Sequence, residues 1–363
     1  MVEHTADFEW RGEGECAEMV LYAPDDATAE RAFERTLPAA GLSGVVNPVH
    51  AAASGSDLGW VVASETHAAP DLFSAPARGL LLVADVSVAD LDVSPGEAGN
   101  LILRNLSEVP APRLGEPEVR RAVEAGVLWA AEEGLIPEED LGLFGAQGLA
   151  PGEPDSLPRR ALSAGARGLD RRTLLETLEA VEILDAERAE ALGLSPGALV
   201  LRVEAIPEDL GRLAFAAHRE RILRRVWSGD FGATAELPAA PQDTGEAAEL
   251  LAAVRAVANH ADARTALRLY GLRRALAEKG GLTLRAAWRL GGLVQRDGLL
   301  LHRRNLAIAE RGDALVARNS IAIGTGAMRE SIPPFGLDSE ECHWTWEEAG
   351  LLERVATLGP IGG

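Results

Sequence analysis

Apolar positions along this chain follow a helical period in some stretches and a strand period in others. From Asp25 to Leu37, the residues Ala29, Ala32, Phe33 and Leu37 fall on one helical face, and Pro24 with Asp25 marks the start. From Glu116 to Glu133, Val119, Ala122, Val123, Gly126, Val127 and Ala130 keep the same spacing. Pro117 sits at the start of that stretch, where a missing N–H costs little. One continuous amphipathic helix is expected there. A short helix is expected over Asp185–Leu192, closed by Gly193. The longest helical region is Gly245–Glu278, with Leu250, Val254, Val257, Ala258 and Ala261 in one stripe.

Extended patterns fall elsewhere. Leu58–Ala63, Leu80–Val83, Ala198–Val203, Leu282–Leu290, Leu299–His302 and Asn319–Ile323 read as strands. Ser195, Pro196 and Gly197 supply the turn into Ala198. Met1–Tyr22 is weakly patterned and reads as an edge strand or arm, and Val45–Val49 is a short apolar run. Leu135–Pro158, rich in Gly and Pro, predicts a loop. Strands and helices mix without a repeat or an obvious linker. The expected fold class is α+β, as a single mixed α/β domain.

Composition sharpens this picture only in places. No run of eighteen apolar residues exists in the 363, so no membrane span is expected. Glu3, Asp7 and Glu9 make the start acidic, unlike a signal peptide, so a cytoplasmic location is expected. Cys16 and Cys342 are too few for a disulfide framework or a thiolate cluster. The formal net charge of −21 opposes nonspecific binding of phosphate backbones. The charge is uneven, however. Residues 251–330 carry an excess of eight positive charges, nearly all Arg, which leaves −29 for the remainder. That asymmetry predicts a basic C-terminal face that could take RNA or a nucleotide. The same arginines also suit solvated helix surfaces or pairing with acids elsewhere.

Candidate chemistry is sparse. Gly324, Thr325 and Gly326 follow the apolar run ending at Ile323, and such a turn can cradle phosphate through its N–H groups. Ala327, Met328 and Arg329 stand where a P-loop would continue, so it is not one. No two of the seven histidines have ligand spacing, and the adjacent Cys342 and His343 would point apart, so no metal site is expected. His302, Arg303, Arg304 and Asn305 follow the strand Leu299–Leu301. Two guanidiniums and an imidazole can bind phosphate, although a basic strand end can equally be plain solvated surface.

Taken in order, these segments resemble the RtcB family of RNA ligases. The segment LHRRNL around His302 resembles the family's V-H-R-K-G-A, with Arg304 in place of Lys and Asn305 in place of Gly. Ile321–Met328 (IAIGTGAM) resembles I-P-G-S-M-G, and Gly336–Glu341 (GLDSEE) precedes the position of H-G-A-G. Glu249–Leu267 is similar to a helix of the type Y-L-A-A-M-x-x-A-A-N-[YF]-A-W-A-N-R-x-x-L, with Ala258, Asn259 and Ala261 matching. Gly41–Val49 is similar to L-P-G-I-V-G-P-V, and Val119–Arg167 to the family's helix, acidic stretch and following helix.

The resemblance implies an RtcB-like domain over 1–363, C-terminally shortened, in a family that joins a 3′-phosphate to a 5′-hydroxyl with GTP and manganese. The departures from it bear on function. The family's D-[IV]-[GN]-C-G falls at Pro76–Leu82, here PARGLLL, and G-N-H falls at Arg172–Glu179, which has neither His nor Asn. H-S-G-S-R-G falls at Val203–Gly211 (VEAIPEDLG), A-H-N at Ala287–Arg289 with Trp288 for the His, and the guanylylated His at Glu347. Two-metal chemistry needs convergent His, Cys and Asp ligands, and nucleotidyl transfer of this type needs an imidazole. A non-catalytic relative is therefore expected, without GTP or manganese. It would bind RNA ends, a nucleotide or a protein partner. His302, Arg303, Arg304, Asn259, Gly324 and Gly326 are the candidate contacts. Two alternatives stay open: an enzyme rebuilt on acids such as Glu204, Glu208 and Asp209, and a structural subunit of an active ligase.

Overall fold

The structure is a computed structural model. It describes residues 3–6, 9–23, 25–45, 48–54, 57–64, 66–72, 78–90, 114–138, 140–141, 151–166, 173–205, 209–232, 236–280, 284–290, 292–296, 299–303, 314–317, 327–331 and 353–361. The expected strand Asn319–Ile323 lies outside these residues.

Two six-stranded sheets and a helical layer form a mixed α+β body. The first sheet begins as a meander of β1 (Glu3–Ala6), β2 (Glu9–Glu13) and β3 (Glu18–Tyr22). The weak pattern before Tyr22 thus conceals three paired strands. Their inward side chains, Trp10, Met19 and Leu21, are buried, but acids between them blur the alternation. Next comes helix α1 (Asp26–Ala40), then β4 (Val49–Ser54) and β5 (Asp57–Ser64). β3 and β4 pair in parallel, and α1 packs on both, as a parallel crossover requires. Asp25 caps α1, its carboxylate accepting from the Thr28 N–H at 2.7 Å. The helix runs past the expected end at Leu37 and takes Pro38 into its last turn. The carbonyl left without a donor there belongs to exposed Glu34.

The second sheet is built on β7 (Arg78–Ser87), β8 (Thr173–Ile183) and β9 (Ala198–Ala205). Two short strands, β6 (His67–Ala68) and β10 (Ala240–Pro241), pair with each other. Later strands are β11 (Leu284–Leu290), β12 (Gly292–Arg296), β13 (Leu299–Arg303), β14 (Ala314–Ala317), β15 (Ala327–Ser331) and β16 (Glu353–Pro360). The second sheet has the antiparallel order β11–β7–β9–β8–β16–β14, β15 closes the first sheet against β5, and β12 with β13 is a hairpin.

The helical layer comprises α2 (Glu116–Ala125), α3 (Val127–Glu132), α4 (Arg159–Ala166), α5 (Ala186–Leu192), α6 (Asp209–Trp227) and α7 (Gly245–Gly280). The single helix expected over Glu116–Glu133 is broken at Gly126, whose φ of +60° leaves the helical region. That backbone fits glycine alone comfortably, and a Cβ would stand 3.2–3.3 Å from Asn259. By spacing alone Gly126 is one more small residue on the apolar face. Helix α6 has no counterpart among the expected elements. Its signal is Leu210, Ala214, Phe215, His218 and Ile222, all buried, but interleaved arginines hide the stripe. Helix α7 agrees with the expected Gly245–Glu278. It packs on α2, α3 and α6 and against β7 and β9. One contiguous apolar core joins Met19 and Leu21, Leu82 and Leu201, and Leu250 and Leu267. No helix of the described residues is long and apolar enough to cross a membrane.

Candidate functional site

Four of the segments equated with RtcB catalytic segments fall on the second sheet. The described part of Pro76–Leu82 is on β7, Val203–Ala205 on β9, Thr173–Glu179 on β8 and Ala287–Arg289 on β11. These strands are consecutive in the sheet, and their register aligns the segments. Arg289, Leu80, Val203 and Leu175 form one transverse row, and Trp288, Leu81, Arg202 and Glu176 the next. A third row runs Ala286, Leu82, Leu201 and Thr177, of which Leu82, Leu201 and Thr177 are buried. Side chains alternate along a strand, so Leu82, Leu201 and Thr177 share one face across β7, β9 and β8. Val83, Val200 and Leu178 are buried on the opposite face. At these positions the sheet is packed on both faces, as the burial of the neighbours Leu82 and Val83 shows.

The candidate contacts are dispersed. His302 and Arg303 are on β13, opposite Leu293 and Gly292 of β12, while Arg304, Gly324, Gly326 and Glu347 lie outside the described residues. Among the alternative acids, Glu204 is on β9, Glu208 lies outside the described residues, and Asp209 pairs with Arg212 one turn along α6 at 2.9 Å. Asn259 is elsewhere, on α7. It is buried, and its amide donates to the carbonyls of Val123 at 3.0 Å and Glu124 at 3.1 Å. These are carbonyls of the last turn of α2, which no later helical N–H can reach because Gly126 ends the helix. Asn259 therefore ties α7 to the α2–α3 break.

That break opens a cleft of about 370 Å³, within the usual size of small-ligand sites. Its apolar wall is Val127, Leu128, Trp129 and Pro151, and its polar groups are Arg121, Glu124, Glu132, Asn259 and Asp262. Trp129 is only 3 % exposed, and its buried indole N–H has no hydrogen-bond acceptor. The Arg121 guanidinium stands 5.8 Å from the Trp129 ring centroid and is ion-paired with Glu133 at 2.5 Å. Among the described residues, no group of three or more His, Cys, Asp or Glu is placed to hold a metal ion. Sequence reading passed over this cleft because Trp129 fits an apolar helix stripe and Asp262 fits a helix surface. The one visible trace was Gly126.

Two buried histidines flank the helical layer. His218 on α6 donates from Nε2 to the Ser156 carbonyl at 3.0 Å, and burial pulls its pKa below the usual imidazole value despite that bond. His260 on α7 is fully buried, and desolvation, then the nearby Arg264 charge, push it down to about 3. Both are neutral at pH 7. In the same layer Arg273 of α7 clamps the buried Asp140 carboxylate with two N–H groups.

Compared with known proteins, the chain matches no family model and no curated protein.

Proposed function

We propose that this chain is a non-catalytic RtcB-like protein that binds RNA ends without joining them. The observation that carries the reading is the strand order β11–β7–β9–β8. Segments scattered between residues 78 and 289 stand in transverse register on four adjacent strands, as ligands sharing one metal cluster must. Chance resemblances scattered along a chain have no reason to meet in one sheet.

The side chains at those positions argue against the chemistry. Leu80, Leu81, Leu82, Val203, Leu175 and Trp288 offer no lone pair to a metal, and the neighbouring interior is packed and apolar. What remains for phosphate is His302 and Arg303 at the end of the β12–β13 hairpin, with Arg304 next in sequence. With a net charge of −21, binding must be local to that cluster.

The test uses the full chain with manganese, labelled GTP and short RNAs ending in a 3′-phosphate or a 3′-hydroxyl. The expected result is salt-sensitive binding that prefers the 3′-phosphate and falls about ten-fold or more in Arg303→Glu/Arg304→Glu, with no protein-bound guanylate. Stoichiometric manganese together with guanylylated protein would make it an enzyme. Unchanged RNA affinity in the double variant would remove the assignment of the site.

A further inference from the structure

His218 does more than fill the core. It is buried on α6, and its Nε2 bonds the Ser156 carbonyl in the short 3-10 turn Pro154–Ser156. A carbonyl can only accept, so Nε2 carries the proton and Nδ1 holds the lone pair. Nδ1 is buried, and among the described residues no hydrogen-bond partner meets it. A second proton could go only to Nδ1, where it would be a buried charge with no acceptor.

The bond matters because of what it holds. Residues 151–157 form a strap whose turn touches both α2 and α7. The Gly152 N–H fastens the strap to α2 through the Glu124 carbonyl at 3.0 Å, and Leu157 is buried at its far end. Between them the Arg120–Asp155 ion pair lies on the surface, where such pairs hold little. His218 supplies the tie to α6.

The charges around His218 do not welcome a second one. Burial is the largest influence, and it holds the imidazole pKa below its ordinary value. Arg221, one turn along α6, repels a charged ring, and Glu249 of α7 attracts one. The Glu249 carboxylate is already committed to Arg221 at 2.5 Å. Asp71, in the turn Pro70–Leu72 against α6, pairs with Arg219, and Arg159 and Arg160 at the start of α4 are exposed.

We propose that His218 is an acid-sensitive latch: neutral, it fastens residues 151–157 to α6, and on protonation its ring turns out to water and releases them. The closed state excludes the second proton and the open state admits it, so falling pH favours opening. The effect begins near the ordinary imidazole value, at about pH 6.5. Pro151 lines the cleft at the α2–α3 break, so release also removes part of that cleft's wall.

The test is hydrogen–deuterium exchange of the full chain at Gly152, Ser156 and Leu157, whose N–H groups are bonded in the closed strap. After correction for the pH dependence of intrinsic exchange, their protection should fall about ten-fold between pH 7.5 and 5.5, while amides in the middle of α7 keep theirs. His218→Gln sets an amide N–H near the place of Nε2 and cannot take up a proton, so its strap should stay protected at both pH values. Constant protection in the wild type, or an equal fall in His218→Gln, overturns the proposal. If the glutamine variant does not fold, the wild-type imidazole resonances decide: His218 must titrate below about pH 6.5, and titration at or above that value overturns it.

Discussion

The described side chains of β7, β9 and β8 and those of the helical layer around α7 are buried in opposite ways. Nine polar or charged residues are buried among the described residues. Six belong to the helical layer: Asp140, His218, Asn259, His260, Asp262 and Thr265. Only Thr177 belongs to those strands. The side chains described on the strands are packed and nearly all apolar, while the buried polar groups gather around α7. A buried polar group is retained only when something holds it, so the helical layer is the better place to look for function.

The largest expected effect sharpens the sheet side of this contrast. Leu201→Ala, at a fully buried position between Leu82 and Thr177, should cost about 3–4 kcal/mol in urea unfolding at any pH. A cost below about 1 kcal/mol would mean that the sheet interior is loose rather than plugged. Asn259→Ala probes the helical side and should cost about 2 kcal/mol, since the Val123 carbonyl loses its side-chain donor, the Glu124 carbonyl keeps only the Gly152 N–H, and a small void remains. If Asn259→Ala unfolds like the wild type, the α2–α3 break is held by something other than this amide.

The smallest effect separates the two regions by pH. His260 has a folded pKa below its unfolded value, so the unfolded chain takes up the proton first. Its contribution is intact above about pH 6.5 and is lost as pH falls from there toward 3. Between pH 6.5 and 5.5 the loss approaches about 1 kcal/mol for this group, and His218 acts in the same direction. His260→Gln should flatten that part of the stability profile, whereas Leu201→Ala should leave its slope unaltered. Equal slopes in His260→Gln and the wild type would show that His260 takes up its proton as readily in the folded chain as in the unfolded one.

Much of the element order was legible in the sequence. The 36-residue α7, the turn at Gly197 and the strands β5, β7, β9, β11 and β13 follow from periodicity and punctuation. Helix α6 did not, because surface arginines fill the positions between its buried residues. The break at Gly126 did not either. The group that meets it, Asn259, is 133 residues away in sequence, and that separation hid the break. The cleft shares that cause: its lining comes from α2, α3, Pro151 and α7, and local spacing cannot show which of these meet. The candidate cluster His302–Arg304 was legible as chemistry, but a strand ladder gives its position only for His302 and Arg303.

The sheet order also sets a timetable for synthesis. β7, β9 and β8 are complete once residue 205 has been made, but their outer neighbours β11, β16 and β14 come from residues 284–360. The first sheet waits likewise for β15 at residues 327–331 to cover β5. For the time it takes to translate about 80–150 more residues, some 5–30 seconds at ordinary elongation rates, the nascent chain carries two half-built sheets with open edges. Such edges are templates for wrong pairing, so the yield of this protein in a cell should depend on how well the ribosome and its chaperones shield those edges until the later strands emerge.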